Sequence, residues 1–375
     1  MSKKQKIIIA VVVVVLVLLV SYFFFFKKDA RKPISLDNKN MTIEQTSPVN
    51  DGPVSPYSGI SCANWNKRAI AVMQPGDVTA RPAAGFSEAD MVFEMPVITS
   101  SITRLMAVYV CNTPTEVGSM RSARHDFIHL AKGLDAVFVS WGRSESHADS
   151  DPVGLAKGIL DRGEVENINC NGDAGKSANA CPANPCFRKE GMERGVDSGY
   201  GNAEAFATCA KDFGYRTENK FAGYKHAPEA ALDSRGKGGH LRVAFAGPFA
   251  AEYDYDRESN SYLRTWGNVP DTDRNNKQRI APKNVVVMIA ESEQIEGQYN
   301  NMQLGDPWYD RTDTGDAFYY MNGQEKRGTW KKDKSKIDSK LFFFDESGSE
   351  VNFVPGQIWV DILEPGQNLK WEPVQ

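Results

Sequence analysis

The sequence predicts a membrane-anchored protein of α/β or α+β class, with a mixed α/β N-terminal domain followed by a mostly β C-terminal domain. Three observations carry this expectation. Residues 7–26 form a run of twenty uncharged residues, residues 57–240 mix strand-like runs with an amphipathic helical pattern, and turn-separated β-type runs follow Leu241. The implied division is 1–32 as cytoplasmic tip and anchor, 33–56 as a disordered linker, and 57–240 and 241–375 as two folded domains.

The anchor comes first. At about 1.5 Å of rise per residue, a twenty-residue helix is about 30 Å long, the thickness of a bilayer hydrocarbon core. The run ends in Phe23, Phe24, Phe25 and Phe26 and then Lys27 and Lys28, not in the small residues of a cleavage site, so it reads as uncleaved. No cysteine precedes Cys62, which argues against a lipid-modified amino terminus. Flanking charge does not decide topology, because Lys3, Lys4 and Lys6 face Lys27, Lys28, Arg31 and Lys32.

Cysteine placement does decide it. Cys62, Cys111, Cys170, Cys181, Cys186 and Cys209 all follow the anchor within 148 residues, as expected of a domain that folds where disulfides persist. The expectation is a single-pass cell-membrane protein with its amino terminus inside and its body extracytoplasmic. The rival is a cytosolic chain with free or metal-bound thiols. All six cysteines are disulfide candidates, and six allow 15 pairings. A four-thiolate zinc site of Cys170, Cys181, Cys186 and Cys209 lacks the usual C-x-x-C pairs, so no metal is expected.

Charge excludes one class of partner. Setting aside the seven Lys/Arg and one Asp of residues 1–32 leaves 37 basic and 47 acidic residues, a net charge of −10. A nucleic-acid binder needs a basic surface or stripe, so none is expected. Residues 33–56 carry Pro33, Pro48, Pro53 and Pro56 among polar residues, without the apolar surface that would offset chain entropy.

In the first folded domain, residues 68–74, 91–98 and 102–111 read as strands, with Ser87 capping a short turn between the first two. Phe127, Leu130, Ala131 and Leu134 share a helical face, Gly133 is placed to end that helix, and residues 135–141 resume as a strand. Residues 142–240 are harder to read, apart from a helix across 202–212. In the second domain, Asn322-Gly323 and Ser347-Gly348 predict hairpins, and residues 285–290 and 357–363 predict further strands.

The densest polar constellation is residues 118–126, Gly-Ser-Met-Arg-Ser-Ala-Arg-His-Asp, where the helix is expected to begin. Unpaired backbone N–H groups and the helix dipole favour an anion there, and Arg121 and Arg124, three apart, add forked donors. The candidate ligand-binding set is therefore Ser119, Arg121, Ser122, Arg124 and Asp126, joined by Arg81, Glu94 and Arg104. Glu94 and Arg104 lie inside apolar strand-like runs, where an unpaired charge is expensive. The plainer alternative makes Ser119 or Ser122 an ordinary cap, with arginines paired to Glu94, Glu116 or Asp126.

His125 and His129 stand at i, i+4, and His147 follows the next strand, but without H-E-x-x-H they read as solvent-facing rather than metal-binding. Asp271-Thr-Asp273-Arg-Asn275 begins like a calcium loop but has Asn276 for its glycine and Pro282 for its glutamate, so it reads as a turn. Neither G-x-x-x-x-G-K-[ST] nor G-x-S-x-G occurs, and no cofactor is implied.

Several ordered motifs resemble one family. RAIAVMQ, ARPAAGFSEADMVFEMPV, SSITRLMAVYV and EVGSMRSARHDFIHLAKGLDAVFVSWGRS are similar to the N-terminal domain of the YerB-like bacterial lipoproteins or membrane-anchored proteins. PKNVVVMIAES, GDAFYYMNGQEKRGTWKK and PGQIWVDILEPG are similar to their C-terminal domain. The resemblance spans about residues 65–367 and implies a two-domain extracytoplasmic protein. It matches at Arg81, Pro82, Glu94, Arg104, Gly118, Arg121, Ser122 and Arg124. It departs at residues 196–202, where the family shows a Pro-His-Asn-like stretch, and at Gln74-Pro75-Gly76, where the family has an acidic or Asn residue.

The function expected is an envelope protein, anchored through its N-terminal helix, that binds an anionic ligand in an arginine-lined pocket. A lipid-linked pyrophosphate, a glycan or a peptide carboxylate is the ligand class. The alternative is an enzyme on envelope polymers. One form, similar only in fold to the LytR-CpsA-Psr phosphotransferases, transfers lipid-linked glycans; the other is a wall hydrolase using Glu94 and a second acid.

Overall fold

The computed structural model describes residues 53–98, 101–144, 156–190, 195–245, 249–296, 299–307 and 310–375. The expected anchor at 7–26, most of the linker and His147 lie outside them. No helix among the described residues is long and apolar enough to cross a membrane.

From Ile70 to His226 the elements are β1 (Ile70–Gly76), β2 (Met91–Pro96), β3 (Thr103–Tyr109), β4 (Val117–Gly118), α1 (His125–Gly133), β5 (Val137–Ser140), α2 (Ala156–Asp161), β6 (Asn167–Asn169), β7 (Cys186–Arg188), β8 (Gly199–Gly201), α3 (Ala203–Asp212) and β9 (Lys225–His226). After a 3-10 turn at Leu232–Ser234 the described elements are strands: β10 (Gly239–Ala244), β11 (Ala251–Asp256), β12 (Ser261–Trp266), β13 (Val269–Pro270), β14 (Asn284–Ile289), β15 (Ser292–Glu296), β16 (Tyr299–Met302), β17 (Thr314–Met321), β18 (Gln324–Lys331), β19 (Phe342–Asp345), β20 (Asn352–Phe353), β21 (Ile358–Leu363) and β22 (Asn368–Pro373). With 38% strand against 14% helix, the two-domain fold is mostly β, and its C-terminal region is β-rich.

A ten-stranded sheet, ordered β19-β18-β17-β14-β21-β2-β3-β1-β5-β6, takes strands from both ends of the chain. They meet at the parallel pair β2·β21, where Met91 faces Ile358 and Glu94 faces Asp361. Every residue of β1, β2, β3 and β21 is buried. Such continuous runs belong to strands covered on both faces, and the covers are visible. On one face α1 and α2 place Phe127, Ile128, Leu130, Ile159 and Leu160 against Met73, Phe93, Met106 and Val360. On the other, the antiparallel sheet β13-β12-β11-β10-β22 places Leu241, Tyr253, Tyr262 and Trp266 against Val92, Leu105, Val285 and Trp359. Strand alternation divides the sequence between these layers: Val92 faces the second sheet, and Phe93 faces the helices.

The strands expected at 68–74, 91–98, 102–111, 135–141, 285–290 and 357–363 are present with shifted ends, and α3 occupies the second expected helix with Asn202 capping it through Ala205 N (2.9 Å). Asn322 (φ 51°) and Gly323 (φ 69°) turn β17 into β18, because both tolerate positive φ. The second hairpin differs. Phe344 bridges Glu350, but β20 then leaves to pair with β9, drawn by Phe353, whose ring packs against Tyr224 and Phe343. The end of α1 also differs. Asp135 (φ 56°) takes the left-handed position, while Gly133 lets the Ser339 backbone approach, where a Cβ would meet its carbonyl at 2.3 Å. Ser87 is not a cap: it lies inside the 3-10 turn Phe86–Glu88, and its hydroxyl donates to Asp273 Oδ2 (3.0 Å).

Candidate functional site

The seam between β2 and β21 holds a buried ionic network. Glu94 accepts from Thr103 Oγ1 (2.7 Å) and from Arg264 Nη2 (2.5 Å), whose other end pairs with Asp271. Arg264 Nε donates to Tyr253 Oη (3.2 Å), which donates to Asp361 Oδ2 (2.9 Å), and Trp359 Nε1 donates to Asp361 Oδ1 (3.1 Å). The guanidinium also lies 4.3 Å from the Trp359 ring centroid. Glu94, Arg264 and Asp361 are each 0% exposed. A charge so enclosed is tolerable only when paired, and removing one partner of such a pair costs about 3–5 kcal/mol. Burial, and then Glu94, push the Asp361 carboxyl up to about 8 against the pull of Arg264. Burial drives Arg264 down, but Glu94 leads the groups that overcome it and raise its pKa.

Arg81 sits beside this network on the same side of the sheet. Its guanidinium lies 4.6 Å from the Trp266 centroid and 5.2 Å from Phe86, with Asp271 Oδ1 3.8 Å away. The side chain is 9% exposed, and none of its three nitrogens finds a hydrogen-bond acceptor among the described residues. Burial pulls its pKa below the ordinary arginine range, and Asp271 opposes that.

The other expected site residues are placed differently. Glu94 is opposite Leu105 and Arg104 opposite Met95, so Glu94 and Arg104 point to opposite faces of the sheet. Arg121, whose backbone N donates to Met73 O (2.9 Å), pairs with Asp77 (3.3 Å) and Asp197. Arg124 is buried and donates from Nη1 to Ala123 O (2.8 Å). Asp126 accepts from the Met302 backbone (3.3 Å). Ser119 is fully buried, and Ser122 Oγ reaches Trp141 O at 3.4 Å.

The helix begins within residues 118–126, but only at their end. Helix α1 begins at His125, with Arg124 in extended conformation (φ −132°, ψ 143°) as its N-cap and no side-chain cap. Arg121 and Arg124 therefore precede the helix instead of sharing a turn of it. Neither serine caps; the segment 119–124 instead hydrogen-bonds through its backbone to Met73 in β1 and to Trp141, Gly142 and Ser144 after β5. The histidines are corrected too. His125 and His129 are buried, with His125 Nε2 2.9 Å from Asp126 Oδ1 and His129 Nδ1 paired with Asp306, because the segment carrying Met302 and Asp306 covers that side of α1. No metal-holding cluster of His, Cys, Asp or Glu occurs among the described residues.

Of the cysteines, Cys62 joins Cys111 and Cys170 joins Cys186, with Cα separations of 5.5 and 5.7 Å. Cys181 and Cys209 are buried thiols.

Clefts open among the described residues, and three of them are lined by none of Arg81, Glu94, Arg104, Ser119, Arg121, Ser122, Arg124 and Asp126. One, of about 550 Å³, runs beside α3 and Tyr109, and another, of about 330 Å³, lies between Lys132, Asp135 and Lys340. The third, of about 710 Å³, is lined by Pro82, Glu116, Phe187, Lys189, Arg274 and Lys277, among others. The 271–279 turn builds its wall. Arg274 donates from its backbone to Ala83 O (2.8 Å) and from Nε to Pro82 O (3.2 Å), while Asp273 accepts from Ser87 N (2.9 Å) and Gly85 N (3.2 Å). Lys189 pairs with Glu116 and stands 5.0 Å from the Tyr200 centroid.

Sequence reasoning missed Arg264, Asp271, Tyr253 and Asp361. Asp361 carried the signal that flagged Glu94, a lone charge within the apolar run Ile358–Leu363.

The fold and the seam define a class: a two-domain, mostly β protein whose N- and C-terminal parts share one sheet. The chain matches the N-terminal domain described as "Protein of unknown function (DUF3048)" over residues 58–157 and the C-terminal domain of the same description over 241–360, together more than half its length. It belongs to that family. A relative from Bacillus subtilis (strain 168), described as "Putative lipoprotein YerB", is 25% identical over 314 residues, 82% of this chain and 86% of the relative. The crystal structure of the YerB protein from Bacillus subtilis superposes with a TM-score of 0.67 at 22% identity, covering 83% of this chain and 96% of that one. That likeness is one of fold. The YerB-like resemblance is thereby borne out.

Proposed function

We propose that this protein is an extracytoplasmic, membrane-anchored binding module that takes an anionic envelope ligand in the cleft beside Pro82. The ligand class is a pyrophosphate, an acidic glycan or a peptide carboxylate. The supporting observation is the lining of that cleft. Lys189, Arg274 and Lys277 stand there against the single carboxylate of Glu116, on a chain whose net charge is −4. Cationic side chains gathered in a concave surface raise the local concentration of anions. The site thus lies beside Pro82, next in sequence to Arg81, and is not formed by Arg104, Arg121 and Arg124, none of which lines that cleft.

The description of the Bacillus relative as a lipoprotein supports an extracytoplasmic, membrane-associated location. Because the first cysteine here is Cys62, the reading gives the anchoring role to residues 7–26, with residues 33–56 as linker and the folded domains dividing near 240. The test is isothermal titration of the full chain in detergent with inorganic pyrophosphate and with soluble peptidoglycan fragments. Saturable binding without turnover, weakened about tenfold, or about 1.4 kcal/mol, by Lys189→Ala/Lys277→Ala at unchanged melting temperature, is expected. Absence of binding would overturn the module, and release of a product from either probe would replace it with the enzyme.

A further inference from the structure

We infer that Cys181 and Cys209 are oxidised to a third disulfide when the chain folds, so that the mature protein holds no free thiol. The geometry carries this. Cys181 ends the 3-10 turn Ala178–Ala180, and Cys209 lies in α3; both are buried in one hydrophobic cluster, at 4% and 0% exposure. Cys181 Sγ donates to Asp212 Oδ2 (3.8 Å), three residues along α3 from Cys209, so the Cys181 sulfur reaches the helix face that carries Cys209. Both thiols therefore belong to one closed corner of the interior, against one face of α3.

The surroundings point the same way. Cys181 lies inside the loop closed by Cys170–Cys186, so one disulfide of this region is already formed around it. Disulfides form and persist in oxidising compartments, and a chain that joins Cys62–Cys111 and Cys170–Cys186 folds in one. The step balances against an incoming disulfide R–S–S–R, of a protein or small molecule. The thiolate of one cysteine attacks it, forming a mixed disulfide and releasing R–SH. The second thiolate then attacks the mixed disulfide, forming the Cys181–Cys209 bond and releasing the second R–SH. Two protons from the cysteines leave on the two R–SH products, and the two electrons of the cysteine pair reduce the incoming disulfide. Burial, followed by the Cys181 thiol, pushes the Cys209 thiol above its ordinary range. The bond would tie the 170–186 loop to α3, a link additional to the two existing disulfides.

The experiment is mass spectrometry of the full chain purified from membranes, denatured and treated with iodoacetamide with and without prior reduction. Expected without reduction are no alkylated cysteines and a cross-linked peptide pair containing Cys181 and Cys209; after reduction all six alkylate. Cys209→Ser should then leave Cys181 as the single alkylated thiol in the unreduced sample, with the other two bonds intact. Alkylation of Cys181 and Cys209 in unreduced wild-type protein, alone or together with the other four cysteines, would overturn the inference. A different pairing of either residue would overturn it equally.

Discussion

The seam network and the open cleft are both built around arginine and a carboxylate, yet they differ in what their charge can do. At the seam, Arg264 is enclosed between Glu94 and Asp271, over Trp359, with no exposure. At the cleft, Lys189, Arg274 and Lys277 line a concavity of about 710 Å³ with one acid among them. Enclosed charge has already spent its interactions on its neighbours and can only hold the fold. Charge on an open wall retains capacity for something that arrives.

The largest expected effect breaks the seam. Arg264→Ala leaves Glu94 and Asp271 buried without their cation and should destabilise the protein by about 3–5 kcal/mol, read as a lower midpoint in urea. A loss below about 1 kcal/mol would mean that the carboxylates find other partners, and the comparison would fail on its buried side.

Next is the pH dependence of the same network. The Asp361 carboxyl is raised to about 8 in the folded chain from an ordinary value of 3.8, so the folded state holds a proton that the unfolded state gives up. Its contribution is therefore most favourable below about pH 4 and is lost as pH rises toward 8. Replacing Asp361 by Asn should flatten stability against pH across that window in chemical-denaturation series. An unchanged slope would remove Asp361 from the account.

A control lies away from both regions. Burial holds the His226 imidazole down at about 4, from 6.5, so the unfolded chain takes up a proton that the folded chain refuses. That contribution is complete above pH 6.5 and is lost as pH falls toward 4, by up to about 3 kcal/mol. His226→Gln should weaken the loss of stability between pH 6.5 and 4 while leaving the slope between about pH 6.5 and 8, which belongs to Asp361, unchanged; a change above pH 6.5 would show that the two groups are coupled. The smallest stability effect belongs to the cleft rim, where Lys189→Ala/Lys277→Ala should stay within about 0.5 kcal/mol of wild type by thermal unfolding. A larger loss would mean that the rim is structural.

Which parts were legible follows from the range of the signals. Local periodicity located α1, α3 and the long strands, because apolar spacing reports the face an element buries. The 142–240 stretch resisted because its strands are only two or three residues long, too short to show alternation. Glu94 was singled out as a charge in an apolar run, but its partner Arg264 is 170 residues away on another sheet, and no local pattern reveals a contact between layers. His125 and His129 were expected in solvent because polar residues on an amphipathic helix usually are. The segment carrying Met302 and Asp306 covers them, and that cover is visible only in three dimensions. The arginine group failed for a related reason: Arg104 points to the other face of the sheet from Glu94, a fact of register that sequence spacing alone does not disclose.

One measurement addresses the division between holding charge and receiving charge most directly: melting curves of the full chain with and without inorganic pyrophosphate for wild type, Arg264→Ala and Lys189→Ala/Lys277→Ala. A ligand that binds only the folded state raises the melting temperature with its concentration. The account predicts that the seam variant melts earlier but keeps the pyrophosphate-induced rise, while the rim variant melts with wild type and loses the rise. A wild-type curve indifferent to pyrophosphate, or a rim variant that keeps the full rise, would contradict it.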